Sequence, residues 1–575
     1  MTMSPDGKTE YDAWHASPFV TKAERAELDA LSADARAQLF AQRIGFGTAG
    51  LRGILAPGPG GMNVHTVRVC AEALARFFGR GGGKTAVVGF DARRRSAELA
   101  REAALVLASH GVSVLLMREP RPTPMLSFAV ERSGADFGLC VTASHNPPQY
   151  NGCKVYRRGG AQMEDEQARA VEREMAHLAL PAPPPALSEE QARAEGFLSD
   201  LGCEPDEAYA AFVLSSMTNP AAVRASHGLR VVYTPCHGVG GLIAPRLLRE
   251  AGITQLFTVA EQMEPDGEFP TLPVPNPEEE RALTLAFHLA ERERADLILA
   301  NDPDADRLAV AARDRHGAMR VITGNQLGAL LADHLLSAYA RAGKPQRPCA
   351  VVKTIVTTEL AARVARKHGA QCCDTFTGFK HLAHKAQQLE AAGVLPVLGF
   401  EESIGYMPYP QTRDKDGVQT ALLVAEMACA LRARGQTLHD ALDALYAACG
   451  CFDERTVSLS VEGAAPMERM AQMMASLRAL PPKRIMDERV TEVTDYLRGE
   501  RTFIRVIERE SLPLAGENVL AYTLENGCRV VVRPSGTEPK IKIYALARGS
   551  SRSEAERCAA AIVEDAPQAL RLNEQ

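Results

Sequence analysis

The chain has 575 residues, which suggests about four domains at roughly 150 residues each. Hydrophobic residues make up 46% of it and charged residues 24%, the proportions of an ordinary soluble globular protein. A formal net charge of −6 argues against the broad basic surface of a nucleic-acid-binding protein, so any anionic ligand must meet positive charge that is gathered locally.

The sequence carries no recognisable targeting or membrane signal. The first residues, MTMSPDGKTEYDAW, lack the apolar core of a signal peptide, and no apolar run approaches the roughly 18 residues of a membrane span. The thirteen cysteines form no C-x-x-C pair, so reduced thiols are the simplest interpretation. We therefore predict a cytoplasmic protein with no nucleic-acid or membrane partner.

Strands and helices are predicted to alternate along most of the chain. A strand in KTAVVGFDARRRS precedes a helix over 97–110 and a strand over 112–117. Similar units begin at Leu229 and at Cys349, the second with a helix over 359–368 and a strand over 370–374. Such alternation indicates α/β domains with parallel or mixed sheets, and its recurrence indicates three related domains.

The C-terminal part has a less regular pattern. Strand-like stretches over 456–461 and 530–532 and helical stretches over 465–480 and 553–564 predict an α+β domain. A proline-rich stretch over 181–196 and ARAGKPQRP at 340–348 read as linkers. The predicted domains are residues 1–200 with a helical N-terminal extension, 201–340, 341–450 and 451–575.

The stretch CVTASHNPPQYNGCKVY, residues 140–156, joins a predicted strand to a stiff turn. The strand Phe137–Val141 is apolar, and Asn146-Pro147 stops regular structure because proline lacks an amide proton. Ser144 therefore lies at the carboxyl end of a strand, where open α/β sheets bind their ligands. The alternative is that Ser144 and Asn146 only supply hydrogen bonds to the turn.

The stretch LILANDPDADRLAV places three carboxylates, Asp302, Asp304 and Asp306, directly after a buried strand. They repel one another unless a cation lies between them, and their hard oxygens suit Mg²⁺. An EF-hand is excluded because Arg307 and Arg313 replace its glycine and glutamate. A solvated acidic turn and a phosphatase D-x-D-x-T site, here with Asp306 in place of threonine, are the alternatives.

Two further loops carry polar side chains after strands. In VLGFEESIGYMP, Glu401 and Ser403 fit recognition of sugar hydroxyls, although a helix cap is an equal alternative. In VVRPSGTEPKIKIY, a guanidinium, two hydroxyls and a glycine-permitted run of amides suit a phosphate, and a tight turn is the alternative. Shorter motifs add polar groups and local positive charge: Thr48, Arg52, Arg93, Thr377, Lys380 and Lys415.

These four loops resemble those of the α-D-phosphohexomutase superfamily, the phosphoglucomutases and phosphomannomutases. TASHNP is similar to its phosphoserine loop, DPDADR to its metal loop, GFEES to its sugar loop and RPSGTEP to its phosphate loop, in the family's order from about Arg43 to the end. FGTAGLRG and FEESIGY are similar to the longer bacterial phosphoglucomutase and phosphopentomutase branch. The resemblance implies an α/β protein of four domains around a central cleft, three of them related and mixed α/β, the fourth α+β.

The resemblance also implies residue roles. Ser144 would be the phosphorylated nucleophile, with His145 beside it and Lys154 as the general base or acid. The serine phosphate and Asp302, Asp304 and Asp306 would ligate Mg²⁺. The implied substrate-binding residues are Thr48, Arg52, Arg307, Thr377, Lys380, Glu401, Ser403, Lys415, Arg533, Ser535, Gly536 and Thr537. Cys153 replaces the family's usual tyrosine or similar residue, a departure expected to touch packing rather than chemistry.

The implied reaction interconverts glucose 1-phosphate and glucose 6-phosphate, with glucose 1,6-bisphosphate as intermediate and activator. The expected partners are small sugar phosphates, and the expected state is a monomer or weak dimer. Phosphopentomutase and phosphomannomutase are alternatives of the same fold. A Mg²⁺-dependent sugar phosphatase would leave the serine and sugar loops unexplained, and a non-catalytic sugar-phosphate sensor would be expected to lose Ser144 or an aspartate.

Overall fold

The computed structural model describes residues 8–47, 50–79, 83–226, 228–341, 343, 347–408, 412–461, 465–506, 508–535 and 540–570. The chain forms two compact units. Unit one comprises Met1–Ile322 with Gly405–Gly435, and unit two comprises Thr323–Ile404 with Gln436–Gln575. The described residues contain no helix that is both long and apolar enough to cross a bilayer.

The first sheet of unit one carries the serine loop. Its described strands are β1 (Phe46–Gly47), β2 (Gly50–Ile54), β3 (Thr85–Phe90), β4 (Ser113–Met117), β5 (Phe137–Val141), β6 (Tyr150–Arg157) and β7 (Leu198–Leu201). Their order is β1-β2-β6-β5-β3-β4-β7. Strand β3 is parallel to β4 and β5, whereas β6 is antiparallel to β5. The sheet is therefore mixed.

The helices of residues 8–215 form the N-terminal extension and connect or follow the strands of this sheet. They are α1 (Lys8–Ala16), α2 (Lys22–Ala30), α3 (Ala33–Ala41), α4 (Val64–Phe78), α5 (Ser96–Ser109), α6 (Thr123–Arg132), α7 (Asp165–Ala176), α8 (Glu189–Ala194) and α9 (Glu204–Ser215). The Asn63 side chain caps α4 by accepting from the amides of His65 and Thr66. Trp14 of the extension is buried and meets the His65 ring edge-on at 5.5 Å between centroids. The predicted N-terminal helices thus pack against α4.

The second sheet of unit one carries the acidic loop. Its strands are β8 (Arg230–Thr234), β9 (Gln255–Thr258), β10 (Leu297–Asn301), β11 (Leu308–Arg313) and β12 (Met319–Ile322), and its helices are α10 (Pro220–Ala225), α11 (Ala244–Ala251) and α12 (Thr284–Arg292). The order is β12-β11-β10-β8-β9. Strand β10 is parallel to β8 and antiparallel to β11, so residues 302–307 form a hairpin loop at the carboxyl end of β10.

The third α/β region begins unit two. Its elements are α13 (Gly324–Arg341), β13 (Cys349–Thr354), α14 (Leu360–Lys367), β14 (Gln371–Thr375), α15 (Phe379–Ala391) and β15 (Leu395–Glu401). Strands β14 and β15 flank β13 and are parallel to it. The next elements, β16 (Gly405–Pro408) and α16 (Gly417–Arg432), belong to unit one, and α17 (Leu438–Cys449) returns to unit two.

The C-terminal region of unit two is an antiparallel sheet with two helices. The strands are β17 (Cys451–Ser460), β18 (Arg484–Ile485), β19 (Glu488–Asp495), β20 (Glu500–Phe503), β21 (Glu508–Ser511), β22 (Leu520–Leu524), β23 (Arg529–Pro534) and β24 (Lys540–Gly549), and the helices are α18 (Pro466–Ala479) and α19 (Arg552–Ala569). The order is β17-β24-β23-β22-β19-β20-β21, with β18 paired to β19. The predicted α+β character of this region is confirmed.

The sequence patterns located the regular elements to within a few residues in most cases. The helices predicted over 97–110 and 359–368 are α5 and α14, and the helices predicted over 465–480 and 553–564 are α18 and α19. Strand β17 begins at Cys451, five residues before its predicted start. Its first half carries Asp453, Glu454 and Arg455, and charged residues weaken the apolar signal on which the prediction depended.

Candidate active site

Ser144 lies in the turn that joins β5 to β6. Its φ of 51° is left-handed, which is uncommon for a residue other than glycine, and the residue is only 2% exposed. The Ser144 amide donates to Thr142 Oγ1 at 2.9 Å, and the Asn146 amide donates to the Ala143 carbonyl at 3.1 Å. These bonds within the turn fix the direction of the serine side chain.

The acidic loop is tied to its own hairpin. Asn301 Nδ2 donates to the Arg307 carbonyl at 2.7 Å, and Tyr233 donates its hydroxyl proton to Asn301 Oδ1 at 2.8 Å. The first residue of α16, Gly417, approaches the loop closely. A Cβ there would lie 2.3 Å from the Arg307 carbonyl oxygen, so only glycine permits this contact.

The loop brings three carboxylates together next to the serine. Asp302, Asp304 and Asp306 are fully buried, and one oxygen of each lies within 4.8 Å of the others. Ser144 Oγ donates to Asp302 Oδ2 at 2.6 Å. Lys154 Nζ lies 2.7 Å from Asp304 Oδ2 and 2.5 Å from Asp306 Oδ2. The serine loop and the acidic loop therefore form one polar cluster.

The ionisation of this cluster is set by burial and by mutual charge. Burial, followed by the charges of Asp304 and Asp306, raises the pKa of Asp302 well above its usual value. Burial opposes the charged form of Lys154, but Asp304 and Asp306 outweigh it, so the pKa of the ammonium is raised. Lys415 Nζ adds a second cation at 2.7 Å from Asp306 Oδ2.

The carboxylate cluster fits a divalent cation. Asp304 Oδ1 and Asp306 Oδ1 are buried and have no hydrogen-bond partner among the described residues. A buried acceptor without a partner costs free energy, whereas a hard cation takes several carboxylate oxygens as ligands. The unpartnered oxygens thus supply the ligand type that the sequence predicts.

Other predicted residues of unit one adjoin the same cluster. Arg52 Nη1 donates to Asn146 Oδ1 at 2.7 Å. His145 Nδ1 is 3.3 Å from Ser144 Oγ. Burial, then Arg307 and Arg52, lower the pKa of His145 well below its usual value. The structure therefore brings together, within unit one, Arg52, Ser144, His145, Lys154, Asp302, Asp304, Asp306, Arg307 and Lys415.

The sugar-loop residues lie in unit two. Glu401 ends β15 and is 7% exposed, and its Oε1 accepts from the Gly378 amide at 2.5 Å. Gly378 is the N-cap residue of α15, so Glu401 does contact a helix start, although not one that follows it in sequence. Thr377 Oγ1 is buried without a hydrogen-bond partner among the described residues, and Lys380 lies in the first turn of α15.

Arg533 lies on β23 of unit two, which pairs with β24, the strand that carries Tyr544. Burial and then Glu402 raise the pKa of Tyr544, Arg533 opposes this rise, and Glu401 adds to it. The Ser535 amide donates to the Lys540 carbonyl at 2.8 Å. Ser403 is half-buried in the turn after β15. Thr48, Gly536 and Thr537 lie outside the described residues.

Models of one protein family match the chain from its first sheet to its last. They describe the phosphoglucomutase/phosphomannomutase alpha/beta/alpha domains I, II and III at residues 43–181, 207–317 and 323–449, and the C-terminal domain at 483–565. The chain belongs to the phosphoglucomutase/phosphomannomutase family. The resemblance to the α-D-phosphohexomutase superfamily and the four-domain fold class are confirmed. The match to family domain III begins at residue 323, before α13, whereas the linker predicted at 340–348 begins at the end of that helix.

Known relatives align with most of the length of this chain. A phosphoglucomutase of Staphylococcus aureus (strain MRSA252) is 33% identical over 506 residues, which cover 88% of this chain and 90% of the relative. Two solved structures share the fold with a TM-score of 0.66 each. They are a phosphoglucomutase/phosphomannomutase family protein from Burkholderia thailandensis (20% identity, 92% and 97% of the two chains) and the phosphoglucomutase parafusin from Paramecium (16% identity, 93% and 96%).

Several residues that support the site were not predicted. Thr123 Oγ1, at the start of α6, donates to Asp304 Oδ2 at 2.8 Å. Thr142 Oγ1 donates to Asp91 Oδ2 at 2.6 Å. Asp414 accepts from the Tyr156 hydroxyl at 2.9 Å. Asp91 and Thr142, each polar and directly after an apolar strand, carried a sequence signal comparable to that of the predicted residues. Cys153 is 1% exposed and belongs to the core of the first sheet.

Replacing one carboxylate should weaken cation binding measurably. We expect Asp304→Asn to lower the affinity for Mg²⁺ or Mn²⁺ at least by the roughly 10–100-fold that follows loss of a partner of a metal ligand, because one anionic oxygen is removed. Isothermal titration calorimetry of the whole protein would measure this. Asp443→Asn, an exposed carboxylate on α17, is the control and should leave affinity unchanged. Equal affinity in wild type and Asp304→Asn would contradict the assignment.

Proposed function

We propose that the chain is a phosphoglucomutase that interconverts glucose 1-phosphate and glucose 6-phosphate through a phosphoserine at Ser144. The family places it among the intramolecular phosphotransferases. The observation that carries the serine assignment is the 2.6 Å hydrogen bond from Ser144 Oγ to Asp302 inside a buried cluster of carboxylates and lysines. Phosphoryl transfer depends mainly on positioning and charge neutralisation, and this cluster provides both.

The proton of the serine hydroxyl has two candidate carriers. A serine hydroxyl is a weak nucleophile until a base takes its proton. His145 Nδ1 is 3.3 Å from Ser144 Oγ, and Lys154 contacts two of the carboxylates beside it. We assign the proton transfers of the two half-reactions to these side chains.

We assign the carboxylate cluster to Mg²⁺, held by Asp302, Asp304 and Asp306 together with an oxygen on Ser144. When bound, the ion would neutralise charge on the transferring phosphoryl group. The unpartnered Oδ1 atoms of Asp304 and Asp306 support this ligand set. Lys154 and Lys415, which already contact the carboxylates, would hold these side chains in place.

The remaining predicted residues are assigned to substrate. In unit one these are Thr48, Arg52, Arg307 and Lys415, and in unit two they are Thr377, Lys380, Glu401, Ser403, Arg533, Ser535, Gly536 and Thr537. Serine would donate its phosphate to the free hydroxyl of a sugar monophosphate and recover the other phosphate of the resulting bisphosphate. Glucose 1,6-bisphosphate would therefore act as both intermediate and activator.

We also propose domain divisions near residues 200, 340 and 450.

Ser144→Ala should abolish mutase turnover and leave the fold intact, because the alanine side chain cannot carry phosphate. A coupled assay for glucose 6-phosphate would measure turnover, and intact-mass analysis should show one labile phosphate on wild type and none on the variant. Ser133→Ala, whose hydroxyl only caps α6 through the Ala129 carbonyl, should keep both. Full turnover by Ser144→Ala would remove the central assignment, and release of free phosphate without isomerised product would favour a phosphatase.

Arg533→Ala should raise KM for glucose 1-phosphate and lower kcat. A hydrogen bond to a charged group contributes about 1.5–3 kcal/mol, and each ~1.4 kcal/mol is tenfold, so kcat/KM should fall about 10–100-fold. Steady-state kinetics test this against Arg505→Ala, an exposed arginine of the same unit that pairs with Glu525. A change in thermal stability alone, with unchanged kinetics, would favour the tight-turn interpretation.

We expect glucose 1-phosphate to be preferred over mannose 1-phosphate by about ten- to a hundredfold. The two sugars differ only at C2, and the buried Glu401 carboxylate can accept bonds from two adjacent equatorial hydroxyls. Values of kcat/KM for glucose, mannose and ribose 1-phosphates at saturating Mg²⁺ and bisphosphate would measure the preference. A ribose value above the glucose value would replace the proposed substrate by a pentose phosphate and leave the phosphoserine chemistry in place.

A further inference from the structure

Three consecutive arginines follow β3 and have different surroundings. The Arg93 side chain is fully buried, whereas those of Arg94 and Arg95 are 50% and 34% exposed. Arg94 pairs with Glu268 and Arg95 with Glu98, as surface arginines commonly do. Burial of a guanidinium requires specific partners, so the contacts of Arg93 indicate what it does.

Arg93 donates to four carbonyl oxygens of the serine loop. Its Nη1 lies 3.0 Å from the Pro147 oxygen and 3.1 Å from the Tyr150 oxygen. Its Nη2 contacts the Ser144 oxygen at 2.5 Å and also the Asn146 oxygen. The planar guanidinium presents five donors in a fixed fork, and here that fork holds the whole turn from the nucleophile to the start of β6.

The bonds from Arg93 stabilise an otherwise unfavourable backbone. Four carbonyl dipoles that converge on one point repel one another, and a positive charge between them removes that repulsion. The left-handed conformation of Ser144 is unfavourable for a residue other than glycine, and such conformations persist only where their surroundings determine them. Arg93 bonds directly to the Ser144 carbonyl, so it acts on the residue that carries this cost.

Arg93 is itself fixed from its other side. Its Nε lies 3.5 Å from Asp91 Oδ2, and its guanidinium carbon lies 4.9 Å from the centre of the Phe269 ring. The loop that carries Phe269 packs closely here, since a Cβ on Gly267 would lie 2.6 Å from the Arg94 amide nitrogen. Phe269 belongs to the segment matched by family domain II, which also carries the acidic loop.

We propose that Arg93 is a positioning residue, which holds the serine loop so that Ser144 Oγ stays at the acidic cluster. This inference rests on the proposed function of Ser144. Among the described residues, none of the hydrogen bonds that Arg93 donates goes to Asp302, Asp304 or Asp306. Its effect is transmitted through the loop backbone, so its removal should change the placement of the nucleophile more than the affinity for sugar phosphate.

The test compares Arg93→Ala and Arg93→Lys with the neighbouring control Arg94→Ala. A misplacement of about 1 Å can cost about 10²-fold in rate, so we expect kcat to fall about 100-fold in both Arg93 variants with KM changed less than about threefold. Lysine keeps the charge but has one nitrogen for four separated carbonyls. Low millimolar guanidinium chloride should partly restore kcat of Arg93→Ala, with equal sodium chloride as its control, and should not affect Arg94→Ala.

Hydrogen exchange provides a readout that does not depend on turnover. The amides of Ser144, Asn146 and Tyr150 are hydrogen-bonded within the loop, and we expect faster exchange at 142–150 in the Arg93 variants while α5 and β3 keep their protection. Wild-type kcat or wild-type exchange of this loop in a folded Arg93 variant would overturn the inference. If Arg93→Ala does not fold, Arg93→Lys decides by the same criteria. An inactive wild type would contradict the proposed function instead, and exchange would still decide the role of Arg93.

Discussion

The mutual repulsion of Asp302, Asp304 and Asp306 is the constraint on which the site depends. Burying three carboxylates within 4.8 Å of one another is unfavourable unless cations compensate them. Lys154 arrives from β6 of the first sheet and Lys415 from the segment before α16. Each cation is supplied by a part of the chain distant in sequence, so the charge balance exists only when the first sheet, the second sheet and α16 are assembled. Formation of the site therefore requires that these parts of unit one are assembled.

Hydrogen bonds between hydroxyls and carboxylates couple the serine loop to the acidic loop. Thr142 accepts from the Ser144 amide and donates to Asp91, and its hydroxyl is also 3.3 Å from Asp304. Thr123 donates to Asp304 from the start of α6. A small movement of the acidic loop would thus shift Thr142 and, through it, the backbone of Ser144. This coupling suits the proposed reaction, in which Ser144 would give one phosphoryl group and recover another at the same oxygen.

The sequence carried clearer signals for the residues that we propose to carry the chemistry than for those that support them. Ser144 and the three aspartates lie in loops that follow apolar strands, and a polar side chain at the carboxyl end of such a strand is a local signal. Thr123 lies 181 positions from Asp304, and nothing in its neighbourhood distinguishes it from a helix-start threonine. The contact of Glu401 with the N-terminus of α15 likewise depends on the sheet, in which β13 lies between β14 and β15. The proposed site residues had local signals, whereas the partners Thr123 and Gly378 required the tertiary structure.

The same charge balance limits what substitution of Lys154 can reveal. Removing one member of a buried ion pair typically costs about 3–5 kcal/mol, because the remaining charge is left without compensation. Lys154 compensates both Asp304 and Asp306, so an inactive Lys154→Ala would combine loss of a proton carrier with a rearranged acidic loop. His145 makes its contact with Ser144 outside that pair. The two candidate proton carriers thus differ in kind, since one is also a structural counter-charge and the other is not.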